Sequence, residues 1–181
     1  MVKVWYSGFK RRMLYLLIAS LTFTLLYYIG SISDISEEDA NMIREQFSEL
    51  ARNIDSIGIF LNNFRIAAGM FIPVLGVALG LFAAFMTGTV FKAFTLTNPE
   101  LANIPSLAIL LTPFGIMEIF SYGLAMSQSV ILFKAIIDKR INKDLIYSTL
   151  IQLGIVAIIL FAAAVIEYYM IKSITDADII I

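Results

Sequence analysis

Ile66–Thr87 reads IAAGMFIPVLGVALGLFAAFMT, 22 residues without one charged side chain. A run of that length and apolarity is too much for the core of a small soluble domain and is enough to cross a bilayer. Met13–Ile29 and Leu145–Ile166 repeat the pattern. Around these runs the chain is 60% apolar and 15% charged, with a mean hydropathy of +0.87, well outside the range of a globular domain. The expected fold is therefore all-α: a polytopic helical membrane protein whose solvent is the lipid bilayer. Its 181 residues leave room for a single membrane domain, 1–181, and no sizeable soluble one.

The residue types also exclude chemistry. The chain has no Cys and no His, which removes thiolate nucleophiles, imidazole bases, iron–sulfur clusters and most zinc or copper sites. No P-loop, glycine-rich dinucleotide turn or nucleophile elbow is present. The expectation is a non-enzymatic protein with no catalytic residues, no cofactor and no metal. A net charge of −1 gives no basis for nucleic acid as a partner.

Lys and Arg near span ends set orientation. Lys3, Lys10, Arg11 and Arg12 precede the first span, 13–29, so the N-terminus is expected inside. Lys10–Arg12 before an apolar run, with Ser31-Ile32-Ser33 after it, has the outline of a signal peptide. The run is longer than a usual signal core, so an uncleaved span is expected. Residues 34–57 carry seven acids against two bases and belong outside. There Ser36-Glu37-Glu38-Asp39 resembles a capping box, and Ala40, Ile43, Phe47, Leu50, Ile54 and Ile57 recur at helical spacing as one amphipathic helix. Lys134, Lys139, Arg140 and Lys143 belong inside, which leaves the C-terminus outside. An odd number of crossings follows. About five are expected: 13–29, a Gly-rich second span at 66–87, a span at 88–112 broken or re-entrant around Asn98-Pro99-Glu100, a fourth at 115–137 and a last at 145–170.

Function has to lie in what interrupts the apolar segments. Gly69, Pro73, Gly76, Gly80, Ala84 and Gly88 form a small-residue stripe suited to close helix packing, against the chain's own spans or against a second copy. In the fourth span Ser121, Tyr122, Gln128 and Ser129 fall within roughly 80° of Glu118 on a helical wheel, and such a stripe must face protein or water. Arg65, Glu118 and Glu167 sit at similar depth on different helices. With Gln128 they are expected to form an intramembrane polar cluster, in which Arg65 pairs with Glu118 or Glu167. Trp5, Tyr6, Tyr27, Tyr28, Tyr168 and Tyr169 read as interfacial belt residues.

The segment IFLNNFRIAAGMFIPVLGVALG, then Pro113-Phe114-Gly115-Ile116-Met117-Glu118, resembles the stage II sporulation protein M family of integral membrane proteins. Asn62 and Asn63 match its Asn-rich entry to a Gly-rich span. Pro113, Gly115 and Glu118 match its Pro-His-Gly-x-x-Glu motif, with Phe114 at the histidine position, and Thr87-Gly88 keeps the glycine of its Asn-Gly exit. The named member works with cell-wall hydrolases at the septal membrane during engulfment. The resemblance thus implies a cell-membrane, multi-pass scaffold or accessory subunit. Its partners would be other integral membrane proteins, with a second copy of itself as the alternative. Two other readings stay open: a small transporter or channel with a polar site around Glu118, and a small subunit of a large membrane enzyme complex.

Overall fold

The computed structural model describes residues 2–51, 55–98 and 101–177, apart from the side chains of residues 2–7, 50–51 and 174–177. Lys3, Trp5, Tyr6, Leu50, Arg52, Ile54, Pro99 and Glu100, which carry part of the topology and amphipathic readings, lie outside that described set. Among the described residues the chain is all-helical: α1 (Val2–Ser31), α2 (Glu37–Ala51), α3 (Ser56–Gly69), α4 (Leu75–Thr97), α5 (Ser106–Leu110), α6 (Pro113–Ile137) and α7 (Lys143–Ala177).

Side chains that satisfy the free N–H groups of the first turn mark the helix starts. Ser36 and Asp39 bond reciprocally at the start of α2, the Asp39 N–H donating to Ser36 Oγ at 3.1 Å. Asp55 accepts from the Gly58 N–H at 2.8 Å and opens α3. Thr112 accepts from the Gly115 N–H at 3.1 Å and opens α6, with Pro113 in the first turn, where its missing N–H costs nothing. Asn142 does the same for α7 through the Leu145 N–H, at 2.9 Å.

Among the described residues, four helical segments are long and apolar enough to cross a membrane: Gly8–Ser31, Leu75–Thr97, Pro113–Ile137 and Lys143–Ser173. Their contacts give their directions. Arg12 meets Gln128, Ser20 meets Ile119 and the Phe23 ring packs tilted against Tyr122, so α1 runs antiparallel to α6. Gly76 abuts Ser129 and Gly80 abuts Met126, so α4 is also antiparallel to α6, and hence parallel to α1. Gln152 and Thr149 meet Gln128, and Phe161 meets Phe60 above, so α7 runs with α1 and α4. Two successive long helices that point the same way require the chain between them to return. That return is α3, which descends beside α6 with Asn63 at Glu118 and the following Ile72 at Ser129.

The run Ile66–Thr87 is therefore not one span. Its first residues finish α3, Met70–Val74 make an elbow, and α4 starts at Leu75. Pro73 has no N–H with which to continue a helix, and Val74 sits at φ 69°, a strained angle for a β-branched residue. A helix break at membrane depth must be sheltered by protein. Here the Met70, Phe71 and Ile72 N–H groups turn back to carbonyls of α3, and the Ile72 carbonyl accepts from both the Gly76 N–H at 2.8 Å and Ser129 Oγ at 2.7 Å.

Two neighbouring expectations change with it. Residues 88–112 are not a broken span: Gly88–Thr97 completes α4, and the short α5 follows. The outer helix does not run through 34–57 either, because Asp55 caps a new helix and Ile57 belongs to α3. Helix α2 lies on α4, with Ala40 fully buried and the Phe47 ring edge-on to Phe94 at 5.4 Å. Glu37, Glu38, Asp39, Glu45 and Glu49 face outward from it.

The core gathers Phe23, Ala67, Met70, Phe71, Ala84, Tyr122, Ala125, Met126, Val156 and Leu160, so every long helix and the elbow contribute. Backbones approach closely where glycines meet. A methyl group on Gly88 would strike the Tyr27 carbonyl, and one on Gly30 would strike that of Phe85. The small-residue stripe is thus used inside the chain. Gly76, Gly80, Ala84 and Gly88 are buried on α4, while Gly69 ends α3 and Pro73 lies in the elbow.

Candidate functional site

The polar side chains inside the bundle collect in two layers. In the layer on the side that the charge pattern expects to be outside, called the outer layer, Glu118, one and a half turns into α6, accepts a hydrogen bond of 2.6 Å from Asn63 Nδ2 of α3. The helix starts explain the meeting. The Thr112 cap and Pro113 fix the phase of α6, Gly115 lets it lie against the Ile109 carbonyl of α5, and Glu118 then projects toward α3. Asn62 Nδ2 reaches Asn63 Oδ1 at 3.4 Å. Glu167 reaches the same layer from α7. Glu167 Oε2 and Ser121 Oγ are buried atoms without a hydrogen-bond partner.

The inner layer lies ten residues along α6, about 15 Å at helical rise. Arg12 Nη1 donates to Ser148 Oγ at 2.9 Å and to Gln128 Oε1 at 3.5 Å. Gln128 Nε2 donates to Thr149 Oγ1 at 2.7 Å, and Gln152 Nε2 donates to Gln128 Oε1 at 3.0 Å. Gln128 is 0% exposed, and its amide oxygen and nitrogen are both engaged. The network ties α1, α6 and α7 together.

The expected single cluster is therefore two. Glu118 and Glu167 share one layer, while Gln128 belongs to the other. Arg65 joins neither: it is exposed on the far side of α3 and pairs with neither Glu118 nor Glu167. The reason is phase. Phe60, Asn63 and Ala67 lie on the face of α3 that packs inward, and Arg65 lies opposite them on a 100° wheel. Tyr27 also departs from the belt reading. It is buried, and its hydroxyl donates to the Ser106 carbonyl at 3.0 Å, pinning α1 to α5.

The sequence reading missed the part Arg12, Ser148, Thr149 and Gln152 play. Arg12 counts equally well as a topological charge. Ser148 and Gln152 are four residues apart, with Thr149 between them, at the start of the last apolar run. That i, i+4 spacing is the signal that places them on one face.

The residues expected from the family resemblance thus converge: Asn63 on Glu118, with Pro113 and Gly115 setting the helix that carries it. A family model, stage II sporulation protein M, matches residues 13–170. The chain belongs to that family. The match runs from within α1 to within α7 and covers both polar layers apart from Arg12, which immediately precedes it. None of the curated proteins and none of the solved structures compared with the chain matches it.

Groups of three or more His, Cys, Asp or Glu side chains able to hold a metal are absent among the described residues. The outer layer offers two carboxyls, a carboxamide and a hydroxyl. These groups can orient helices, bind a polar group or hold a proton.

Proposed function

We propose that this stage II sporulation protein M family member is a non-enzymatic scaffold or accessory subunit of the cell membrane that holds other integral membrane proteins. Its N-terminus is inside and its C-terminus outside, with the short α3 as a fifth, partial traverse beside the four long helices. One observation carries this reading. The polar stripe that would have to line a transport path is packed into the bundle, with Ser121, Gln128 and Ser129 all near 0% exposed, Gln128 hydrogen-bonded to α7 and Ser129 to the elbow. The chain also has no Cys and no His. What remains for function is the outer surface: the acidic face of α2 and the exposed face of α3.

Purification in mild detergent with mass spectrometry of co-eluting chains tests this. A partner at constant stoichiometry is expected. An isolated monomer under every condition removes the proposal. A small subunit of a large membrane enzyme complex is a variant of the same reading, distinguished by whether that partner is an enzyme.

A second reading, a small transporter with a site around Glu118, draws on the unpartnered Glu167 Oε2 and Ser121 Oγ. Solute flux into proteoliposomes that is lost in Glu118→Gln would favour it over the scaffold.

A further inference from the structure

Ser121 carries a hydroxyl that its own helix does not satisfy. Thr24, Thr89 and Ser127, also in the long helices, each donate to a carbonyl three or four residues earlier, the usual resolution for a hydroxyl in an apolar helix. Ser129 donates instead to the Ile72 carbonyl of the elbow. Ser121 is 0% exposed, and its Oγ has no partner of either kind. It stands three residues after Glu118, on the same side of α6, so the hydroxyl belongs to the outer layer. Among the described residues, Glu167 Oε2 in that layer is the other buried side-chain oxygen without a partner.

The layer therefore presents oxygens with few hydrogens to meet them. Its amide donor, Asn63 Nδ2, is already engaged by Glu118 Oε1, and Arg65 is exposed on the opposite face of α3. A buried carboxylate requires a counter-charge or a proton. A proton on either acid would not serve Ser121, because its Oγ is bonded to neither carboxyl. A metal cation draws together oxygens that do not bond one another, and a serine hydroxyl has lone pairs to offer. Two carboxyls and a hydroxyl are a hard, all-oxygen set. They fall short of the roughly six to eight oxygens that calcium takes, and no metal-holding group of three or more acids stands among the described residues. A cation of single charge needs fewer ligands, because the Born cost of removing its water is lower.

We infer that Glu118, Glu167 and Ser121 form a binding site for one monovalent metal cation, with sodium as the probe. Glu118 and Glu167 supply carboxylate oxygens from α6 and α7, and Ser121 Oγ supplies a neutral one. Asn63 holds Glu118 from α3 through its 2.6 Å bond, so a bound cation ties α3, α6 and α7 together on the outer side. With one proton retained between the two carboxyls, a single positive charge brings the layer to neutrality. The inference goes beyond the scaffold reading and does not depend on it. A cation that binds and stays fastens a scaffold, and one that also crosses serves a transporter.

The full chain, purified in mild detergent and choline chloride, is titrated with sodium chloride at constant ionic strength and neutral pH. Radioactive sodium is expected to bind at one ion per chain, and the unfolding midpoint to climb with the logarithm of its concentration. Glu118→Gln and Glu167→Gln each abolish both responses while keeping their midpoint in choline. Ser121→Ala weakens sodium about tenfold. Gln128→Leu, in the inner layer, lowers the midpoint in choline and keeps the response to sodium. A titration without a sodium response overturns the inference, and acid or calcium acting in its place names a proton or a divalent ion as the occupant. A response that survives when both acids are replaced is a general salt effect and also overturns it. So does an unchanged affinity in Ser121→Ala, which removes the hydroxyl from the site. Where a glutamine variant does not elute as a single species, binding to the unaltered chain and to Ser121→Ala decides. The scaffold reading fails separately. A chain that binds sodium but co-purifies with no partner loses only the scaffold; one that holds a partner but binds no sodium loses only the inference.

Discussion

The two polar layers differ in how completely they close. In the inner layer Arg12, Gln128, Ser148, Thr149 and Gln152 supply donors and acceptors that meet across α1, α6 and α7. In the outer layer the one carboxamide donor goes to Glu118, two buried oxygens have no partner, and the nearby cation, Arg65, faces away. A closed network inside a membrane locks helices in register, because each group's alternative is an unsatisfied polar atom in hydrocarbon. An open one has chemistry to spare for something outside the chain. The contrast locates structure in the inner layer and adaptability in the outer one.

Substitutions can break that contrast, the largest effect coming from the inner layer. Gln128→Leu removes the acceptor for Arg12 and Gln152 and the donor to Thr149, leaving these half-buried groups under-bonded. A loss of roughly 1–3 kcal/mol is expected, read as a lower unfolding midpoint in mixed micelles. A loss below that of Glu118→Gln would reverse the assignment of roles.

Ser129→Ala comes next. It takes from the elbow the hydroxyl bonded to the Ile72 carbonyl, and interhelical bonds of this kind average about 0.6 kcal/mol with a maximum near 1.7. Hydrogen exchange around Met70–Gly76 should quicken. Unchanged exchange there would mean the elbow does not depend on α6.

Glu118→Gln keeps an acceptor for Asn63. Its effect on stability is expected within about 0.5 kcal/mol, whereas Glu118→Leu leaves the Asn63 amide without its acceptor and costs about 1 kcal/mol. The same thermal series reads both, and equal effects would show that the Asn63 bond does not hold α3.

The smallest effect is expected for Ser121→Ala. This hydroxyl is as buried as that of Ser129 but has no partner, so its removal should lie within about 0.5 kcal/mol of neutral. Two serines eight residues apart on one helix then give different answers. A destabilisation matching that of Ser129→Ala would show that the outer layer is closed after all.

Much of this was legible in the chain. The apolar runs mark the long helices because lipid accepts little else, and Thr112-Pro113 and Asn142 announce where α6 and α7 begin. The small-residue spacing on α4 announces close packing, although only the tertiary structure shows that α1 and α6 fill it. The elbow is a different case. Hydropathy reports what a residue dissolves in and says nothing of the direction of the backbone, so Ile66–Thr87 reads as one crossing when it holds the end of one helix and the start of another. Pro73 is the local sign of the break. The consequence, a reversal of direction that makes α1 and α4 parallel, appears only in the assembled bundle. Arg65 teaches the same lesson at the scale of one side chain. Its depth followed from sequence position, and depth suggested a pairing with Glu118 or Glu167. Its face follows from the phase of α3, set by Phe60, Asn63 and Ala67 packing inward.

Residence in lipid, helical structure and the positions of most helix starts were settled by the amino-acid sequence, because solvent preference and capping act over a few neighbouring residues. The meeting of Asn63 with Glu118 across 55 positions, the division of one polar stripe into a closed layer and an open one, and the outward turn of Arg65 were decided by the tertiary structure. Each depends on how one helix is rotated against another, and that rotation is set by the packing of all of them together.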